Sequence, residues 1–347
     1  MTIGRTGLLA LSGLAGLAAM GSAATAQEGD LTVLPPVSTT YAAAKTAWGE
    51  PDLRGTWPID YLNGTPMQRA PEQGNRIFMT DAEYKERADR ISALASRYDN
   101  EESQDRLGQG HWVEMGVVNR RTSLLVAPVN GRLPEMTEEG KRRSALMRSS
   151  WRKDQTFDRP EDFDSWDRCI TRGLPASMLP MMYNNGIRVF QSPGIVAIQL
   201  EMIHETRIIP TDGRAPLPAA IGNWMGESRG HWEHGNTLVV ETTNFRPGPS
   251  ATNIVTSGSP PENDTPISTS AKLMERFTMT GPDKVSYEMT WTDPVIFTQP
   301  WSVQLDWQRD QSYQFFEYAC HEGNVQLRNY VSASRATRAG VTLDEVE

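Results

Sequence analysis

Apolar and polar residues alternate through the second half of the chain. From Val196 the even positions read Val196, Ile198, Leu200, Met202, His204, Thr206 and Ile208. A strand places such a set on one face. His204 therefore falls on a stripe that should face a core. Turn residues cut the alternation at Ser192-Pro193-Gly194, Thr211-Asp212-Gly213 and His234-Gly235-Asn236. Lys272–Thr280 should pair with Lys284–Thr292 across Gly281-Pro282-Asp283. Trp301, Val303, Leu305 and Trp307 alternate with polar residues as a half-buried strand, and Tyr313–Ala319 reads as a final strand. About eight to ten short strands between Ile187 and Cys320, mostly joined by hairpins, predict an antiparallel sheet that removes its edges by closing into a barrel. Such a barrel has room for side chains or one small ligand.

The first half patterns differently. Thr80 with Glu83 forms a capping box, so a helix should run from Asp81 to about Ser96. Thr137 starts a second helix that should reach about Trp151. Residues 152–167 are charged and broken by proline, as in a connector laid over a surface. Cys169–Tyr183 is apolar and irregular, either a plug at one barrel end or a pocket wall. Residues 246–270 form a long polar loop, and 325–339 a closing helix or coil.

Arg5 followed by the short apolar run Leu8–Met20 and Ala24-Thr25-Ala26 reads as an export signal cleaved before Gln27. The expected organisation is a signal peptide at 1–26, a helical and irregular segment at 27–160, and an antiparallel β-barrel at 161–347. The address is the periplasm or the medium. No membrane contact is expected after cleavage. Net charge is -9, and Arg5 is the one charged residue lost with the signal. No nucleic-acid partner is expected for so acidic a chain, because such binding needs clustered Lys and Arg. Cys169 and Cys320 are the two cysteines. Export favours their pairing, which adds on the order of 4–5 kcal/mol in the chain-entropy picture. The alternative is a thiolate nucleophile.

The segments CITRGLP, MMYNNG, GHWEHGNTLVVETTNF, DPVIFTQPW and EYACHEGN resemble a family of exported bacterial proteins of unassigned activity. The likeness spans Pro51–Asn324. It implies a calycin- or lipocalin-like barrel and transfers no catalytic residue.

The chemistry must come from the residues themselves. His204 and His321 are the candidate bases, with Glu317 or Asp293 as the carboxylate partner brought from another strand. Each histidine has a plainer reading as a satisfied core residue. His231 and His234 stand three apart, but no H-E-x-x-H or paired C-x-x-C accompanies them, so no metal is expected. No dinucleotide fingerprint, Walker motif or G-x-S-x-G occurs, so no cofactor is expected. Arg172, Tyr183, Arg207, Trp224, Trp291 and Trp301 are the candidate substrate contacts. The aromatic ones serve equally as plain core. Two functions fit. One is a cofactor-independent lyase, dehydratase or isomerase using His and carboxylate on a small aromatic or hydrophobic molecule. The other is a carrier of such a molecule.

Overall fold

The computed structural model describes residues 30–104, 108, 110, 112–248 and 265–340. The segment expected to be a signal, residues 1–26, and most of the long polar loop lie outside these residues. The described chain is mainly β, with ten strands: β1 (Gly55–Thr56), β2 (Leu125–Ala127), β3 (Ile187–Ser192), β4 (Ile195–Leu200), β5 (Thr206–Pro210), β6 (Glu227–Glu233), β7 (Thr237–Thr243), β8 (Lys272–Gly281), β9 (Lys284–Thr292) and β10 (Trp301–Gln308). All ladders are antiparallel. They form a four-stranded sheet, β1-β3-β4-β5, and a six-stranded sheet, β2-β10-β9-β8-β7-β6. Among the described residues no ladder closes these two sheets into the expected single barrel. The N-terminal half supplies β1 and β2, which extend the edges of both sheets.

The hairpins form where turn chemistry demands them. Gly194, in the β3–β4 turn, and Gly235, in the β6–β7 turn, both have positive φ, which glycine adopts without a Cβ clash. Odd positions of β9 and β10 face inward, so Tyr287, Trp291, Trp301 and Trp307 are fully buried. Tyr287 and Trp307 stack at 5.2 Å, and Phe277 joins them at 4.9 and 5.4 Å. Side chains from both sheets share this one core. Burial of each large aromatic removes apolar surface worth about 25 cal/mol per Å².

A buried ion pair joins the sheets. Arg207 of β5 donates to both Glu275 oxygens of β8, at 2.9 and 2.6 Å. The Tyr287 hydroxyl donates to Glu275 at 2.9 Å. Burial alone would weaken the charge on Arg207. The Glu275 carboxylate more than offsets that, and the guanidinium pKa lies above its usual value.

The helices are α1 (Asp81–Ser103), α2 (Glu138–Ser144) and α3 (Gln326–Arg338). The Thr80 capping box is present: Thr80 N donates to Glu83 Oε2 at 2.8 Å, and Glu83 N to Thr80 Oγ1 at 3.3 Å. α1 outruns its expected end because no glycine or proline follows until Gly108. α2 stops short of Trp151 because Arg152 takes the Ser144 and Met147 carbonyls, at 2.7 and 2.9 Å. Among the described residues no helix is long and apolar enough to cross a membrane.

Two sequence expectations fail on phase and pairing. Tyr313–Ala319 joins no ladder. The buried Glu201 carboxylate instead accepts from Phe316 N at 2.8 Å and from the Tyr313 hydroxyl at 2.7 Å. The stripe from Val196 to Ile208 is two strands, not one. The chain turns over at residues 201–205, with Ile203 at φ 59 and His204 at φ 44. Arg207 then pairs opposite Ile198, and Ile209 opposite Val196. Beyond the turn the odd positions face inward, while Ile208 is 56% exposed.

Candidate cleft beside the disulfide

Cys169 and Cys320 form the expected disulfide, with Cα atoms 5.7 Å apart. The bridge ties the C-terminal segment to the irregular stretch before β3. Beside it opens a cavity of about 440 Å³, walled by Trp151, Trp166, Tyr183 and Tyr318, with Asp167 and Glu317 at its polar surfaces. The size lies within the range of small-molecule sites.

Each wall is held from behind. Met181, Met202 and Ile203 form a small buried cluster under Trp166, Tyr183 and Tyr318. The Tyr183 and Tyr318 rings lie parallel with centroids 6.3 Å apart. Arg172, 2% exposed, sits behind this wall, 5.9 Å from the Trp166 ring. It donates to the Leu179 carbonyl at 3.2 Å. Burial lowers its pKa to about 10, against the pull of Tyr183 and Tyr318. Burial raises the Tyr183 hydroxyl well above the phenol range, so it stays a hydrogen-bond donor.

The acid of the cleft is a pair of aspartates. Asp164 and Asp167 occupy one turn, and the Asp167 backbone N–H donates to Asp164 Oδ1 at 2.7 Å. Asp167 accepts from Ser150 N at 2.8 Å and from Ser150 Oγ at 2.6 Å. Asp164 is 2% exposed. Burial first, then the neighbouring Asp167 charge, raise its pKa to about 7. Two adjacent carboxyls cannot both ionise freely, so the buried Asp164 keeps its proton to higher pH than an ordinary aspartate. Glu205 is also raised to about 7, chiefly by burial, with the Thr171 hydroxyl opposing as a donor.

The residues singled out in the sequence scatter. Tyr183, Glu317, Cys169 and Cys320 line the cleft, and Arg172 lies behind it. His204 is exposed at the β4–β5 turn, so it does not point into a core. His321 is exposed and does not line the cleft. Asp293 is 1% exposed and is held by Ser268 N and Oγ at 2.8 and 2.6 Å, as a loop clasp. Arg207 is locked to Glu275. Trp291 and Trp301 are core at 0% exposure. Trp224 lies apart from the cleft, between the guanidiniums of Arg246 and Arg168, at 4.6 and 5.5 Å.

Sequence reasoning missed Asp164, Trp166 and Asp167. The signal was present as Asp164-Ser165-Trp166-Asp167 just before Cys169. It was hidden in a run read as a charged connector. Among the described residues, no three His, Cys, Asp or Glu side chains converge as metal ligands. No protein-family description, curated protein or solved structure matches this chain.

Proposed function

We propose that the chain is a cofactor-independent acid–base enzyme acting on a small aromatic or apolar molecule held in the cleft beside the disulfide. The reaction class is lyase, dehydratase or isomerase. The observation that carries this reading is the meeting, in and behind one cavity, of a Trp/Tyr wall and Asp167 with the buried Asp164, whose pKa is raised to about 7. Asp167, on the wall, takes a proton from the bound molecule. Asp164 holds the pair's other proton, and the Tyr183 hydroxyl donates to the oxygen on which charge develops. The histidines have no part in this version of the chemistry.

A second reading is a carrier. What favours it is that Ser150 already engages Asp167 through two donors, leaving the carboxylate less free to react. Mass spectrometry of compounds that co-purify with the protein would identify the occupant, and turnover would then be followed in Asp167→Asn. The enzyme reading expects binding to persist and turnover to fall roughly 10²–10⁴-fold. Unchanged turnover in Asp167→Asn would remove that residue from the chemistry, and no turnover in either protein supports the carrier.

The finer fold belongs to the same proposal: a flattened calycin-like barrel in an exported protein of the family it resembles. Asp310 N, just past β10, donates to Thr56 O of β1 at 3.0 Å, which brings the two sheets together at one edge. At the other, β5 packs beside β6, where a Cβ on Gly230 would meet Ile209 at 2.9 Å. The disulfide suits an oxidising compartment.

A further inference from the structure

We propose a second small-molecule site, for an apolar monocarboxylic acid bearing a hydrogen-bond donor, on the outer face of the six-stranded sheet under the Pro35-Pro36 arm. Even positions of β10 turn away from the aromatic core, and on an open sheet they would meet water. Here residues 34–38 roof them, with residues 119–124 alongside, over a cavity of about 540 Å³. The roof is apolar, with Leu34, Pro35 and Val37. The floor is polar, with Arg121, Ser286, Gln304 and Asp306.

Two floor groups are left unsatisfied. Gln304 is 8% exposed, and its Nε2 donates to Ser286 Oγ at 3.0 Å, but its buried Oε1 has no partner. Arg121 Nε is likewise buried without a partner. Among the described residues the one hydrogen bond from its guanidinium is a long contact of 3.4 Å to the Ser123 carbonyl. Among the described residues no carboxylate lies within ion-pairing distance of Arg121. Buried polar groups left in this state cost about 1–3 kcal/mol each, more when charged. The same cavity therefore offers a planar fork for a carboxylate and an acceptor for a hydroxyl or amine. Burial lowers the Arg121 pKa to about 10, with Asp306 opposing and Arg69 adding to the fall. An incoming carboxylate would oppose that fall.

Asp306 sets the charge of the ligand. It is exposed at the cavity wall, and the Tyr61 hydroxyl donates to its backbone carbonyl. Its carboxylate repels a phosphate or a dicarboxylate more than a monoanion. The apolar roof requires a carbon body rather than a bare anion.

The test is calorimetric titration of the full mature chain with 4-hydroxyphenylacetate, using 4-hydroxyphenylacetamide as the uncharged control. The acid is expected to bind at least about tenfold tighter than the amide. Arg121→Gln should remove that preference. Asp306→Asn, at an exposed position that should not disturb folding, should tighten the acid and leave the amide unchanged. Trp166→Ala, in the other cavity, should leave the titration as it is. Equal affinity for acid and amide, no binding of either at millimolar concentration, or weaker acid binding in Asp306→Asn would overturn the proposal and leave the cavity to water.

Discussion

Glu275 and Asp164 are both sealed from water, at 0% and 2% exposure, yet their surroundings are opposite. Glu275 meets an arginine fork and a tyrosine hydroxyl in the core between the sheets. Asp164 meets a second carboxylate at the back of an open cleft. The first arrangement neutralises its charges and joins two sheets. The second raises the Asp164 pKa to about 7. Burial alone does not mark a functional acid. The proposed role of Asp164 rests also on the like charge of Asp167 beside it.

The largest effects should come from breaking the core pair. Arg207→Met strands Glu275 and should cost about 3–5 kcal/mol in urea unfolding. Replacing both, as Arg207→Met with Glu275→Leu, should recover most of that loss. A double variant no better than the single would mean that Arg207 holds the sheets by more than charge pairing.

Opening the disulfide comes next. Cys169→Ser with Cys320→Ser should lower stability by about 2–4 kcal/mol, because the unfolded chain regains the freedom of a long loop. It should also weaken ligand binding in the cleft, whose wall carries the bridge. Stability loss with undiminished binding would separate the bridge from the site.

The pH dependence is smaller and separates the two carboxyls directly. Asp164 and Glu205 have folded pKa values of about 7, above their ordinary range. Between the unfolded value near 4 and the folded value, the folded protein holds more protons. Their contribution to stability is therefore full at acid pH and is lost as pH rises through about 7. Glu83 is lowered to about 2, so its loss belongs to more acidic conditions. The thermal unfolding temperature should fall between about pH 4 and about pH 7, the unfolded and folded values of these two groups. Asp164→Asn should flatten that fall, and an unchanged slope would assign it to Glu205.

The smallest effect belongs to His204. At an exposed turn position, His204→Gln should change stability by no more than about 0.5 kcal/mol and leave binding unaltered. A large loss of turnover would restore it to the site.

Much of the fold was legible because hairpin turns announce themselves locally. Pro193-Gly194 and Pro282-Asp283 interrupt apolar runs, and their hairpins formed where expected. The β4–β5 turn was not legible. Ile203 and His204 take left-handed backbone without a glycine or proline to mark it, so the stripe was carried one strand too far. The alternation of Trp291, Trp301 and Trp307 was visible in the sequence. Whether they line a cavity or fill a core depends on the partner sheet, which no local pattern reveals. The cleft was half legible. Tyr183 and the cysteines stood out, while Asp164 and Asp167 passed as solvated charge, because their proximity to a cavity comes from the chain folding back against Ser150.

The titration of Asp164 tests the central claim most directly, since it needs no ligand. Carbon-13 carboxyl NMR of aspartate-labelled protein, assigned with Asp164→Asn and Asp167→Asn, would follow each group through pH. One aspartate should titrate at about 7, vanish in Asp164→Asn, and move towards the ordinary range in Asp167→Asn. If every aspartate titrates near ~4, the ordinary value, the cleft holds no acid pair and the enzymatic reading fails.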